Sequence, residues 1–289
     1  MRKIAVLTDS ASDIPFEMQK EYGVDILPFV ITVDGKSYVE REDIDFEQYY
    51  EILARCEGIP STAHITMMQF LDTFCRYDDA GYTDLLYVSI NARGSNTYDA
   101  ARMAAAEFAT EERPDSKLRI HIVDSHSYSM IYGWHVCQAA AKLKNGAELS
   151  DVIAYLEDAL SSAEAVLSVF TLRFIKKSGR VSAAAAFAGE LLGLRPIISM
   201  IDGETATVAK VRGDAAVMPG LISYVKKRIA SDGGYMIGTT DLENGKLLAR
   251  LCKKELGSAP QCIFLLGAAV ATNTGPNAIA IVFNGAKRR

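Results

Sequence analysis

The stretch LLYVSINARGSNTYDAARMAAAEFA, residues 85–109, decides the fold class. Leu85-Leu86-Tyr87-Val88 is an apolar run of strand length, and the alanine-rich segment after Thr97 is strong helix-forming sequence. The polar stretch 89–98 lies between them, so a strand feeds through a loop into a helix. That is half of a βαβ unit, whose strands pair in parallel. Ile4-Ala5-Val6-Leu7 and Ile120-His121-Ile122-Val123 repeat the pattern between helix-like segments, which implies a parallel α/β sheet.

Working outward, residues 15–22 read as a helix opened by Pro15, and the extended segment ILPFVITV, residues 26–33, turns at Asp34-Gly35. Phe46, Tyr49, Tyr50 and Leu53 recur at helical spacing within residues 45–55. Helices and strands then alternate to Asn145-Gly146, a helix stop. A helix over residues 150–162 leads into AVLSVFTL, residues 165–172, a β-branched and apolar run. Asp202-Gly203, between the runs 196–201 and 205–211, is hairpin chemistry, so an antiparallel pair interrupts the alternation. Helices are expected over residues 217–230 and 245–256, and strands over 235–239, 263–270 and 279–283. The expectation is an α/β protein of two domains: an N-terminal parallel-sheet domain over residues 1–160 and a C-terminal mixed-sheet domain over residues 161–289.

With 289 residues, of which 49% are hydrophobic and 23% charged, the chain can bury a substantial core. A net charge of -5 gives no global reason to bind nucleic acid or anionic membrane. The run CIFLLGAAVA, residues 262–271, is far shorter than the roughly 20 residues a membrane helix needs, and reads as a buried strand. The opening MRKIAVLTDS is interrupted at Asp9 and is not read as a signal peptide. Cys56, Cys75, Cys137, Cys252 and Cys262 lack CxxC spacing, which points to reduced thiols in the cytoplasm and against a zinc site.

Ligands of open α/β sheets lie beyond the carboxyl ends of the strands, so the loops there carry the chemistry. Three stand out: residues 8–13 (TDSASD), residues 59–64 (IPSTAH) and residues 89–98 (SINARGSNTY). In the first, helix capping and ligand contact are both open readings. In the second, a hydroxyl at a helix start can donate to an anion that the positive helix end favours, and capping alone accounts for it equally well. The third gathers free amides and hydroxyls at one point and is the best anion cradle. It lacks a GK[ST] continuation and the three glycines of a dinucleotide fingerprint, which disfavours a nucleotide. No G-x-S-x-G elbow is present, and His64, His121, His126 and His135 sit in no metal or triad pattern, so no catalytic residue is assigned.

Taken together, these loops resemble the DegV family over essentially the full chain. The resemblance rests on Thr8-Asp9-Ser10-Ala11-Ser12-Asp13-Ile14-Pro15, Pro60-Ser61-Thr62, Ser95-Asn96-Thr97-Tyr98, Asp124-Ser125, Thr171-Leu172, Lys176-Lys177-Ser178-Gly179-Arg180, Leu194-Arg195-Pro196-Ile197, Lys210-Val211-Arg212 and Gly275-Pro276. It implies a two-domain fold that encloses one long-chain fatty acid in an apolar tunnel, with no other cofactor and no metal. It further implies a non-catalytic role in which the carboxylate is presented to a separate ATP-binding fatty acid kinase subunit, which makes the acyl phosphate. By the same resemblance Thr62, Ser95 and the Asn96 amide hold the carboxylate, with Asn273 beside them, and Arg180, Arg195, Lys210 and Arg212 contact phosphate or the partner. The family has a Ser after Thr62, a Ser-Gly pair at Ser95-Asn96, and a His-x-Gly-Pro-Gly run where this chain reads Asn273-Thr274-Gly275-Pro276-Asn277. Losing the His removes a titratable group and keeps a neutral donor.

Candidate tunnel walls are Met67, Met68, Phe70, Phe74, Met130, Phe187 and Met200. An enzyme acting on a small carboxylated or phosphorylated substrate at the same loops is the alternative, and a lipid held only for structure is a third. Nucleic acid and integral membrane association are not expected.

Overall fold

The computed structural model describes residues 2–179 and 193–286. The described residues form a mixed α/β fold built on three sheets. In the first, β1 (Ile4–Asp9) lies between β2 (Asp25–Leu27) and β6 (Asp84–Ser89), and β7 (Arg119–Asp124) follows β6, all in parallel. Every residue of β6 is buried, and so its sequence runs apolar without alternation, as in a central parallel strand covered on both faces.

The second sheet has the order β10 (Glu204–Arg212), β9 (Leu194–Ile201), β8 (Ala163–Val169), β13 (Ala278–Asn284), β11 (Tyr235–Thr239), β12 (Ile263–Leu265), antiparallel except for β11 with β12. Period-two alternation divides its apolar residues between two faces. Ala165, Leu167, Met236, Ala280 and Val282 join the core shared with the first sheet. Val166, Ile237, Ile279, Ile281 and Phe283 pack on the other face with Val217 and Leu221 of α8 (Val217–Lys226) and Leu248 of α9 (Leu242–Leu256). Between the two large sheets runs α5 (Met130–Lys144), which touches β1 on one side and β8 and β13 on the other. The part of α5 that lies between the sheets is covered on both sides, which explains why Met130, Tyr132, Val136 and Ala140 are all buried.

A third sheet, with the order β4 (Lys36–Val39), β3 (Val30–Val33), β5 (Ser61–Ala63), is antiparallel. It shares a small core of Ile31, Tyr49, Leu53, Phe174 and Ala271 with α2 (Phe46–Arg55), α7 (Arg173–Ser178) and α10 (Ala268–Thr274). An Asp45–Gln48 capping box starts α2.

Three local expectations are corrected. Residues 59–64 do not open a helix: they hold β5, and α3 (Met67–Asp79) starts at the N-cap Thr66. The run 262–271 is not one strand, because β12 stops at Leu265 and Gly267 caps α10; without a polar residue to set a period, strand and helix look alike there. The helix expected over 217–230 ends at Lys226. No helix among the described residues is long and apolar enough to cross a membrane.

At the start of β8 the Glu164 side chain, only 1% exposed, accepts from Arg228 through Nε (2.7 Å) and a terminal guanidinium nitrogen (2.8 Å). Arg228→Ala removes both of these hydrogen bonds from a buried carboxylate. The expected loss is roughly 2–3 kcal/mol, below a fully buried pair because the arginine is partly in water. Denaturant unfolding measures it; a loss under about 1 kcal/mol would mean that solvent already satisfies Glu164.

Candidate functional site

Three segments distant in sequence meet at one cavity of about 490 Å³. Thr62 comes from the middle of β5, Ser95 and Asn96 from the turn that starts α4 (Thr97–Glu107), and Asn273 from α10. Phe29, Ile90, Met200 and Val270 supply apolar wall. Arg93 and Glu204, paired at 2.8 Å, join the loop before α4 to the β9–β10 hairpin.

Local chemistry holds each polar group. Asn96 is the N-cap of α4, so the positive end of the helix dipole lies at the cavity. Ser95 Oγ sits 2.8 Å from Thr97 Oγ1 and accepts from the Thr97 amide at 3.3 Å, which fixes the hydroxyl. Asn91 accepts from the Arg93 amide and donates through Nδ2 to the Tyr128 hydroxyl at 3.0 Å, tying this loop to the chain after β7. Thr62 is placed by pairing with Ile31 of β3. Asn273 Nδ2 donates to the Ala269 carbonyl at 2.9 Å, which commits one of its two amide hydrogens and leaves the other. Neutral donors around a helix N-terminus suit a single carboxylate.

Tyr128, Met200, Val270 and Thr274 also line a second pocket, about 60 Å³, against the six-stranded sheet. Its wall includes Ile131, Ala165, Leu167, Phe264, Ala280 and Val282. A cavity of mixed lining and a wholly apolar pocket therefore share four residues.

The structure brings together Thr62, Ser95, Asn96 and Asn273, all on the cavity. It does not bring Arg195, Lys210 or Arg212 there. Arg195 pairs with Asp214 at 2.7 Å, and Arg195, Lys210 and Arg212 belong to the open end of the β9–β10 hairpin, whereas Gly203, Glu204 and Thr205 at its turn line the cavity. Arg180 lies outside the described residues, as does Phe187. Of the other wall candidates Met200 lines the cavity, Met68 is exposed, and Phe70, Phe74 and Met130 are buried in the main core with Met67 packed at its edge. Arg93, Tyr128 and Glu204 were missed as site residues: each lies in or just after a turn or bend, where polar residues are expected anyway.

The loop 8–13 has a different task. Asp13, fully buried, accepts from the Gly267 amide at 2.9 Å and from the Ser129 hydroxyl. Glu40, also fully buried, accepts from the Ala269 amide at 3.0 Å and from the Ser10 hydroxyl, while Ser10 accepts from the Phe29 amide at 2.9 Å. The capping reading is corrected: the helix that follows, α1 (Phe16–Tyr22), starts at Pro15 with no side-chain cap, and Asp13 instead takes the amide at the head of α10, more than two hundred residues on. Gly267 must lack a side chain, since a Cβ would lie 2.5 Å from Asp13 Oδ1 and 2.8 Å from Glu40 Oε1. Burial pushes Glu40 up to about 7, against the hydrogen bonds from Ser10 and Ala269. Burial and the charge of Glu40 hold Asp13 well above the carboxylate range. Beside it Asp9, bonded by Tyr132, Tyr87 and the Ile90 amide, is raised by burial to about 6.

Comparison with known proteins follows this geometry. The family model described as "Uncharacterised protein, DegV family" matches residues 3–285. A DegV domain-containing protein of Caldanaerobacter subterraneus is 27% identical, over 98% of this chain and 99% of its own. The crystal structure of a stearic-acid-binding protein from Eubacterium ventriosum superposes with a TM-score of 0.89 at 22% identity, over 99% of this chain and 98% of its own. A DegV family protein from Thermus thermophilus, described as binding fatty acid, superposes with a TM-score of 0.82 at 25% identity, over 99% of this chain and 100% of its own.

Because Glu40 binds its proton more tightly folded than unfolded, its contribution to stability is full below its ordinary value of 4.5 and is lost as pH rises through about 7. The shift corresponds to roughly 3 kcal/mol. Glu40→Gln removes this slope. Urea unfolding at pH 5 and pH 8 should show a smaller loss with rising pH in the variant than in the wild type, and equal slopes would contradict the assignment.

Proposed function

The chain belongs to the DegV family, and from that premise we propose that it binds one long-chain fatty acid without a covalent bond and acts as a carrier rather than as an enzyme. The observation that supports this reading is a cavity with polar donors in a mixed wall abutting a wholly apolar pocket, with Tyr128, Met200, Val270 and Thr274 common to both. A carboxylate leaving water needs charge-assisted donors to offset its desolvation, and an acyl chain needs the opposite surroundings. The Thr62 and Ser95 hydroxyls, the Asn96 amide and the remaining Asn273 hydrogen hold the carboxylate. The chain enters between the two large sheets. We place the boundary between the two domains near residue 160, where α6 (Leu149–Ser162) hands over to β8.

Ser95 bonds to Thr97 rather than to a base, which fits a donor better than a nucleophile. The reaction then falls to a partner: a cytoplasmic ATP-binding kinase subunit transfers a phosphoryl group to the presented carboxylate, giving an acyl phosphate. Arg93, on the cavity, is better placed to meet added negative charge than Arg195, Lys210 or Arg212.

Mass spectrometry of the denatured, freshly purified protein should release a long-chain fatty acid. A Thr62→Ala/Ser95→Ala double variant loses two hydrogen bonds to a charged group, each worth about 1.5–3 kcal/mol, so its affinity for palmitate should fall by at least about a hundredfold. Unchanged affinity would show that the carboxylate lies elsewhere.

A further inference from the structure

The apolar pocket has a direction, which the strand register reveals. Met200 of β9 stands at the larger cavity and pairs with Ala165 of β8, which pairs in turn with Val282 of β13. One step along, Leu167 pairs with Ala280, Ala280 with Gly238 of β11, and Gly238 with Phe264 of β12, the last strand of the sheet. These residues share the face that looks toward the first sheet. The pocket is lined from β9, β8, β13 and β12, and Phe264 is its outermost wall in strand order. Four strand spacings separate β9 from β12, about 19 Å, and the apolar pocket of about 60 Å³ opens only part of that span, continuing from the larger cavity at Met200.

Gly238 explains how Phe264 reaches in from the edge. A Cβ at Gly238 would lie 2.7 Å from the Phe264 ring tip, so the ring fills the space that a side chain of β11 would take. Phe264 is buried, and Leu266 backs the same spot, 3.3 Å from that Cβ position.

We propose that Phe264, seated over Gly238, is the stop that sets the length of the fatty acid this protein accepts. The proposal rests on the fatty-acid reading above. Each methylene buried adds roughly fourfold in affinity, about 0.8 kcal/mol, until the chain meets the ring and the gain ends. Shortening the ring moves that end point outward, and pushing the ring off Gly238 moves it inward.

The test measures dissociation constants for a graded series of saturated fatty acids with the full-length wild type and with Phe264→Ala, Phe264→Leu and Gly238→Ala. The wild type should show rising affinity that levels off at one chain length. Phe264→Ala should keep gaining roughly fourfold for each methylene past that point, Phe264→Leu should do so over a shorter extension, and Gly238→Ala should level off earlier. If Phe264→Ala does not fold, the other two variants decide the matter, since they move in opposite directions. An unchanged end point in the folded variants overturns the stop while leaving fatty-acid binding intact. A wild type that binds none of the acids overturns the fatty-acid reading and the stop together.

Discussion

Two buried carboxylates hold the two large sheets in working order. Asp13 and Glu40, from the first part of the chain, close on the amides of Gly267 and Ala269 at the head of α10. That helix carries Val270, Asn273 and Thr274 on the cavity, and the same network fixes Phe29 through Ser10. Ala11, Phe29 and much of the α10 wall are thus set by one cluster of hydrogen bonds. Burying such groups is costly, and their raised proton affinity is the sign of that cost. The cluster is tolerable because each carboxylate accepts both an amide and a hydroxyl, and because Arg41 lies near enough to attract both.

The division of labour between polar and apolar surfaces follows from strand chemistry. In β8 and β13, small residues on one face, Ala165 and Ala280, leave space beside α5, while the larger Val166 and Ile281 on the other face fill the core against α8 and α9. A pocket forms where alternation places small side chains opposite the buried part of α5. Loop residues at its mouth then supply the donors. Neither half suffices alone, since a hydroxyl cluster without the pocket would suit any small anion.

Much of this architecture was legible in the sequence, because local signals and tertiary demands agreed. The apolar run 85–88 is continuous because both faces of β6 are buried, and Asp202-Gly203 makes its hairpin because both residues adopt positive φ. The failures have physical causes. β5 is three residues long and mostly exposed, so no periodicity marks it. The run 262–271 contains no polar residue to reveal where strand gives way to helix. At the site, Thr62, Ser95 and Asn273 were found through resemblance and not through spacing, because their meeting is a consequence of three separate elements. The link from Asp13 to Gly267 spans nearly the whole chain, and no local pattern announces it.

A crystal structure of the protein grown with palmitate tests the central claim most directly. The account predicts one acid, with its carboxylate within hydrogen-bond distance of Thr62 Oγ1 and Ser95 Oγ and its tail running past Met200 along Ala165 and Ala280. Palmitate bound at another place, or a cavity that holds only water at saturating palmitate, would contradict it.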